Sequence, residues 1–211
     1  LDITLNYSRV ITVNIVGEVF NPGSYTLPAT NTAFNALIAA GGPSQIGSVR
    51  NIYLRRNGKT VDSLDVYAFL FDPTVSQDLF MQNNDYLYVA PAERIVEVKG
   101  AVNRPYTYEV KAGDVVADLI GFAGGFTAKA YRNGIEVHRI DENNIKTLTV
   151  DALASQNLQL KSGDEIKVNS ILGIPSNLVK VHSSTGVSGD YEFVKGETVY
   201  DMMLKSNSLT E

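Results

Sequence analysis

Val13-Asn14-Ile15-Val16-Gly17-Glu18-Val19-Phe20-Asn21-Pro22-Gly23-Ser24-Tyr25-Thr26-Leu27 returns 83 residues later as Val96-Glu97-Val98-Lys99-Gly100-Ala101-Val102-Asn103-Arg104-Pro105-Tyr106-Thr107-Tyr108-Glu109-Val110. The offset pairs Val13 with Val96, Gly17 with Gly100, Val19 with Val102, Pro22 with Pro105 and Tyr25 with Tyr108. Each copy reads as a strand, a turn and a returning strand. Proline presets φ in the turn, and Gly23 accepts a positive φ there. A third, weaker copy places Tyr191 a further 83 residues on, with Ser183 and Ser188 where the glycine and proline stood.

After its hairpin, the first copy runs into a helix. Asn31 or Thr32 caps it, Phe34, Leu37 and Ile38 give its apolar stripe, and Gly41-Gly42 stops it. Val49 to Arg55 reads as a strand whose alternation breaks once, between Val49 and Ile52. Asn57-Gly58 is a tight hairpin turn, and Thr60 to Leu64 returns. Asp65 caps a short helix closed by Asp72-Pro73, and a last strand covers Tyr86 to Val89. The second copy keeps this order, with a helix ending at Gly124-Gly125, strands over 135–140 and 145–150, a short turn after Asp151, and a last strand over 165–168. Asp164 follows Asp85 by 79 residues, so the second copy has lost about four residues in a surface loop. The third copy runs out before a helix stop is reached. One helix across a small mixed sheet, repeated, is an α+β, β-grasp-like architecture.

With 211 residues, 44% of them hydrophobic and 19% charged, the chain can bury ordinary cores. A net charge of −5 argues against a nucleic-acid partner. The absence of cysteine removes disulfides and thiolate chemistry. The two histidines, His138 and His182, fall in different copies, so no metal site is expected and no cofactor is implied. No apolar run approaches the roughly 20 residues that span a bilayer. The alternating start, Leu1-Asp2-Ile3-Thr4-Leu5, reads as the end of a strand from an upstream domain, and the whole as a piece of a longer protein.

The phrase Val-Gly-Glu-Val-Phe-Asn-Pro-Gly-Ser-Tyr-Thr-Leu, the helix ending Ala-Gly-Gly, and the Arg-Asn pairs at 50–51 and 132–133 resemble the SLBB module, a soluble ligand-binding β-grasp. The tandem is similar to the SLBB repeats of Wza-type outer-membrane polysaccharide export proteins. The resemblance implies a strand over 1–11 from an upstream export domain, SLBB domains over 12–92 and 93–172, and a partial third over 177–211. It further implies a non-catalytic segment on the periplasmic side of the outer membrane. Its partners would be polysaccharide, other copies of the exporter, and an inner-membrane chain-length regulator linked to a tyrosine kinase. The alternative is a free-standing carbohydrate-binding module; a polysaccharide-processing enzyme ranks lowest, because no two carboxylates form a recognisable glycosidase pair.

Gly17, Pro22, Gly23, Gly41, Gly42, Gly100, Pro105, Gly124 and Gly125 are assigned to backbone geometry. Candidate glycan or subunit contacts are Tyr25, Tyr108, Arg50, Arg55, Arg56, Arg104, Tyr106, Arg132 and Arg139. Tyrosine rings stack on sugar faces and guanidinium forks match carboxylates. The competing expectation is half-buried strand tyrosines and arginines on solvated strand faces. Phe20, Asn21 and Asn103, which differ between copies around the hairpin, complete the surface to inspect.

Overall fold

A computed structural model describes residues 9–72, 74, 79–171, 173 and 177–208. The expected strand over 1–5 and the Pro73 helix stop lie outside the described residues. The chain forms two compact units, one up to Ser170 and one from Ile171.

The first unit holds both full repeats. In the first, β1 (Val10–Gly17) and β2 (Gly23–Pro28) form the hairpin, followed by α1 (Ala33–Ala39). Then come β3 (Gly47–Arg56), β4 (Lys59–Leu64), α2 (Val66–Phe71) and β5 (Tyr86–Pro91). The second repeat follows the same order with β6 (Ile95–Gly100), β7 (Thr107–Glu109), α3 (Val116–Phe122), β8 (Ala130–Asp141), β9 (Asn144–Val150), a 3-10 turn over Ala154–Gln156, and β10 (Glu165–Ser170). The sheets are ordered β2-β1-β5-β3-β4 and β7-β6-β10-β8-β9. In each, the first and last strands of the repeat run parallel at the centre, and every other neighbour is antiparallel. This is an α+β pair of β-grasp-like modules. The lost residues fall where α2 shrinks to the 3-10 turn, which Asp151 caps by accepting the Ala154 amide at 2.6 Å.

Alternation along the strands selects the core. Val13, Ile15, Ile52, Leu54, Leu87 and Val89 face inward and pack against Ala33, Ala36 and Leu37 of α1. The buried helix stripe therefore runs through alanines, and Ile38, expected in it, is exposed. Small residues on the inner face let the helix lie close to the sheet. The second core repeats this with Val96, Val98, Ile135, Val137, Ile166 and Val168 under Val116, Leu119 and Ile120.

Glycines terminate the central strands. Gly17 and Gly100 have φ of +89° and +86°, and a Cβ would stand 2.2 and 2.1 Å from the carbonyl oxygens of Val89 and Val168. Asn57 and Gly58 both have positive φ, as a type I′ hairpin turn requires.

The second unit is a hairpin of β11 (Leu178–Val181) and β12 (Gly189–Glu192), then α4 (Val199–Lys205). Here the expected lack of a helix stop is corrected. Ser206 caps α4 and Asn207 follows with φ of 54°, at the position of Gly41 and Gly124. Asparagine tolerates the left-handed region well enough to replace the glycine.

Candidate functional site

The tyrosines at equal positions do one job three times. Tyr25 Oη donates to the Asn21 carbonyl at 2.6 Å, Tyr108 to that of Arg104 at 2.8 Å, and Tyr191 to that of Val187 at 2.8 Å. Each phenol reaches four residues back and closes its own hairpin loop. Tyr25 is half-buried; Tyr108 is 7% exposed.

Two of the candidate arginines also have matched roles. Arg56 makes a fork to Asp85 with both bonds at 2.8 Å, and Arg139 to Asp164 at 2.9 and 2.7 Å. Both carboxylates are fully buried, and each also accepts a backbone amide three residues before it, from Gln82 and Lys161. The guanidinium hydrogen bonds to Asp85 and Asp164 raise both arginine pKa values above the ordinary arginine value. The pair ties the end of the third strand to the turn that launches the last one.

Arg50 departs from the solvated strand face expected of it. Residues 48–51 arch away from β5 between the pairs Gly47–Pro91 and Ile52–Val89. Inward-facing positions are Ser48, Arg50, Ile52 and Leu54, so the alternation is continuous and Val49 faces out. Arg50, 8% exposed, pairs with Asp65 at 3.2 Å and with Asp114 of the second repeat. Its guanidinium carbon sits 5.2 Å over the Tyr67 ring and 5.1 Å over that of Phe122. Lys111 adds a 2.8 Å bridge to Asp65. Burial of Arg50, Asp65 and Asp114 is tolerable because each has an opposite partner.

Glu109 supplies the other half of this joint. Its carboxylate, from β7, accepts Ser48 Oγ at 2.6 Å and the Val49 and Arg50 amides at 2.7 and 3.1 Å. The arch frees those amides from the sheet, and a side chain of the next repeat takes them up. Tyr67 and Phe71 of α2 close the joint by packing against Phe122, with Tyr67 also edge-on to Tyr108. Burial pushes the Tyr67 and Tyr108 phenols above their ordinary value.

The second repeat has the same arch over 131–134, between the pairs Ala130–Ser170 and Ile135–Val168. Arg132 there is exposed and lies 5.4 Å from the Phe126 ring. The arches are equivalent, but the Arg-Asn pair sits one position earlier in the second, so Arg132 takes the place of outward-facing Val49. Arg104 lies over Phe71 at 5.1 Å and donates to the Phe122 carbonyl at 3.0 Å. Tyr106 and Phe20 are exposed at 67% and 70%. Arg55 is exposed on the outer sheet face. Asn103 donates to the Gly124 carbonyl at 2.7 Å.

The SLBB-domain model matches residues 12–62 and 95–148. The chain carries two SLBB domains. Two curated Escherichia coli relatives, both named polysialic acid transport protein KpsD, are 26% identical to it over 122 residues. That alignment covers 57% of this chain and 22% of each relative. The matched segments contain the hairpin, main helix and third strand of each SLBB repeat. Among the described residues, no three His, Asp or Glu side chains converge on a possible metal position. No described helix is long and apolar enough to cross a membrane.

Proposed function

We propose that this chain is a non-catalytic segment of a polysaccharide exporter, standing on the periplasmic side of the outer membrane. Its SLBB repeats join exporter subunits. The observation that carries the reading is the tandem SLBB pair in a chain that also aligns over 122 residues with proteins named for polysialic acid transport. The disposition of charge supports it. Arg50, Arg56 and Arg139 serve internal ion pairs, which suits a rigid connecting module better than a reaction centre. The partners in this reading are the polysaccharide, other copies of the exporter and an inner-membrane chain-length regulator. The modules take boundaries at 12–92 and 93–172. Residues 177–211 are a partial third SLBB unit, supported by the tyrosine closure at 191 and the left-handed Asn207.

Deleting the gene is the direct test. Surface polysaccharide should disappear while polymer accumulates inside the cell; an unchanged surface layer refutes the reading. Sedimentation of the protein extracted in mild detergent tests subunit joining separately. A discrete oligomer is expected, and a monomer at all concentrations removes that role.

A further inference from the structure

The outer face of the first sheet is aromatic, and the equivalent face of the second is not. Tyr53 and Arg55 of β3 stand directly opposite Tyr88 and Tyr86 of β5. The Tyr53 and Tyr88 rings lie 6.4 Å apart and 16° from parallel, with Arg55 4.9 Å over Tyr88. Tyr86 is 48% exposed. A Cβ on Gly17 would come within 2.9 Å of the Tyr88 ring, so that glycine lets the ring lie across β1. Among the described residues no carboxylate pairs with Arg55, in contrast to Arg50, Arg56 and Arg139.

In the second repeat, Glu136, His138, Glu165 and Lys167 occupy the positions of Tyr53, Arg55, Tyr86 and Tyr88, in the same register. These groups close on one another and on β6. Lys99 bridges Glu97 at 3.0 Å and Glu165 at 2.9 Å, while Glu136 meets His138 at 3.3 Å and Lys167 at 3.5 Å. The fold therefore does not require aromatic residues here. Three tyrosines and an arginine without an acidic partner call for a separate reason.

We infer that Tyr53, Arg55, Tyr86 and Tyr88 form a platform for an acidic glycan. Pyranose C–H faces stack on the tyrosine rings, phenol oxygens exchange hydrogen bonds with sugar hydroxyls, and Arg55 receives a sugar carboxylate. The charge favours this occupant over a neutral one, because a guanidinium without an acidic partner beside flat aromatic rings matches a carboxylated ring. The inference rests on the export reading for its choice of ligand.

The test is an NMR titration of the 211-residue chain with oligosialic acid, a neutral glucan oligomer and oligoglutamate as probes. Oligosialic acid should shift the Tyr53, Arg55, Tyr86 and Tyr88 signals, with weaker shifts from the glucan and none from oligoglutamate. Arg55→Ala and Tyr86→Ala should each weaken binding about tenfold, the loss of one charge-assisted or stacking contact. Tyr53→Glu with Tyr88→Lys imports the second repeat's own pair, so it should keep the fold and abolish the shifts. Shifts on any other surface, equal response to oligoglutamate, or no response at millimolar glycan overturns the platform. So does protein-concentration-dependent burial of the four residues without glycan, which would mean that a second copy covers the face. The gene deletion separates the two readings: if surface polysaccharide is lost on deletion yet the chain ignores oligosialic acid, export stands and the platform falls.

Discussion

A methyl group at position 100 would stand 2.1 Å from the Val168 carbonyl oxygen, on a backbone already held at φ +86°. Gly100→Ala should therefore cost more than the roughly 1–3 kcal/mol of left-handed strain alone. Gly23→Ala meets nothing within 4 Å and has no positive φ, so it should leave the urea midpoint unchanged or slightly raised. Gly100 was visible in the sequence as a strand-end residue, whereas Gly23, expected to take a positive φ in the turn, instead opens β2 with no positive φ. Their unequal cost was not visible, because it depends on a carbonyl 68 residues away. The tyrosines repeat this lesson. Their equal spacing is written in the chain, but the phenol bond to the fourth residue back needs the loop's geometry. Tyr108→Phe, which orphans a partly buried carbonyl, should lower stability by about 1 kcal/mol. Tyr25→Phe, with a more solvated bond, should cost less. Chemical denaturation of the two variants side by side measures the difference.

At the scale of elements, the order hairpin, helix, hairpin, short helix, strand was legible because each boundary carries its own chemistry. Asn57-Gly58 turns, Asp65 caps and Gly41-Gly42 stops, all through short-range sterics. The β3 arch was not legible. A charged Arg50 within an apolar strand looks like a break in alternation until Asp114 and Glu109, some 60 residues on, are seen to meet that segment. Arg132 shows the reverse. Its Arg-Asn context copies that of Arg50, but aligning Ile135 with Ile52 puts it one position earlier, at the place of outward-facing Val49, and it is exposed. Removing the Glu109 carboxylate should loosen the first arch in particular. Glu109→Ala leaves the Val49 amide and Ser48 Oγ without their acceptor and the Arg50 amide with Ser48 Oγ alone, at a cost of roughly 2–5 kcal/mol for truncating a buried hydrogen-bonded charge. Hydrogen exchange at Val49 and Arg50 should accelerate far more than at Ile52, and uniform acceleration across β3 would contradict the local role. Glu109→Gln should retain part of the effect, since its amide oxygen can still accept.

At the scale of the molecule, residues 9–170 are two small cores joined through one charged and aromatic seam, and the seam makes a pH-dependent contribution with a definite sign. Tyr67 is raised above its ordinary value of 10.0 first by burial, with the Glu109 carboxylate adding to it; the hydrogen bond from the Glu109 amide and the charge of Arg50 act the other way. Tyr108 is raised by burial, partly offset by Arg104. A phenol held neutral by folding binds its proton more tightly in the native state than in the unfolded chain. Its contribution is fully present below the unfolded value of about 10 and is lost as pH rises through the higher native value. Stability should thus hold from neutral pH to about pH 10 and fall above it. Followed by phenolate absorbance, Tyr67 and Tyr108 should ionise above the ordinary phenol value. Their ionisation should coincide with loss of the edge-on Tyr67–Tyr108 contact, because a Tyr67 phenolate is repelled by the Glu109 carboxylate and a Tyr108 phenolate loses the proton it donates to the Arg104 carbonyl. Tyr67→Phe with Tyr108→Phe should flatten the alkaline limb of the stability curve while lowering the plateau at neutral pH, since the hydroxyl bonds are lost there. An unaltered alkaline fall in that double variant would assign the pH dependence to groups outside the seam.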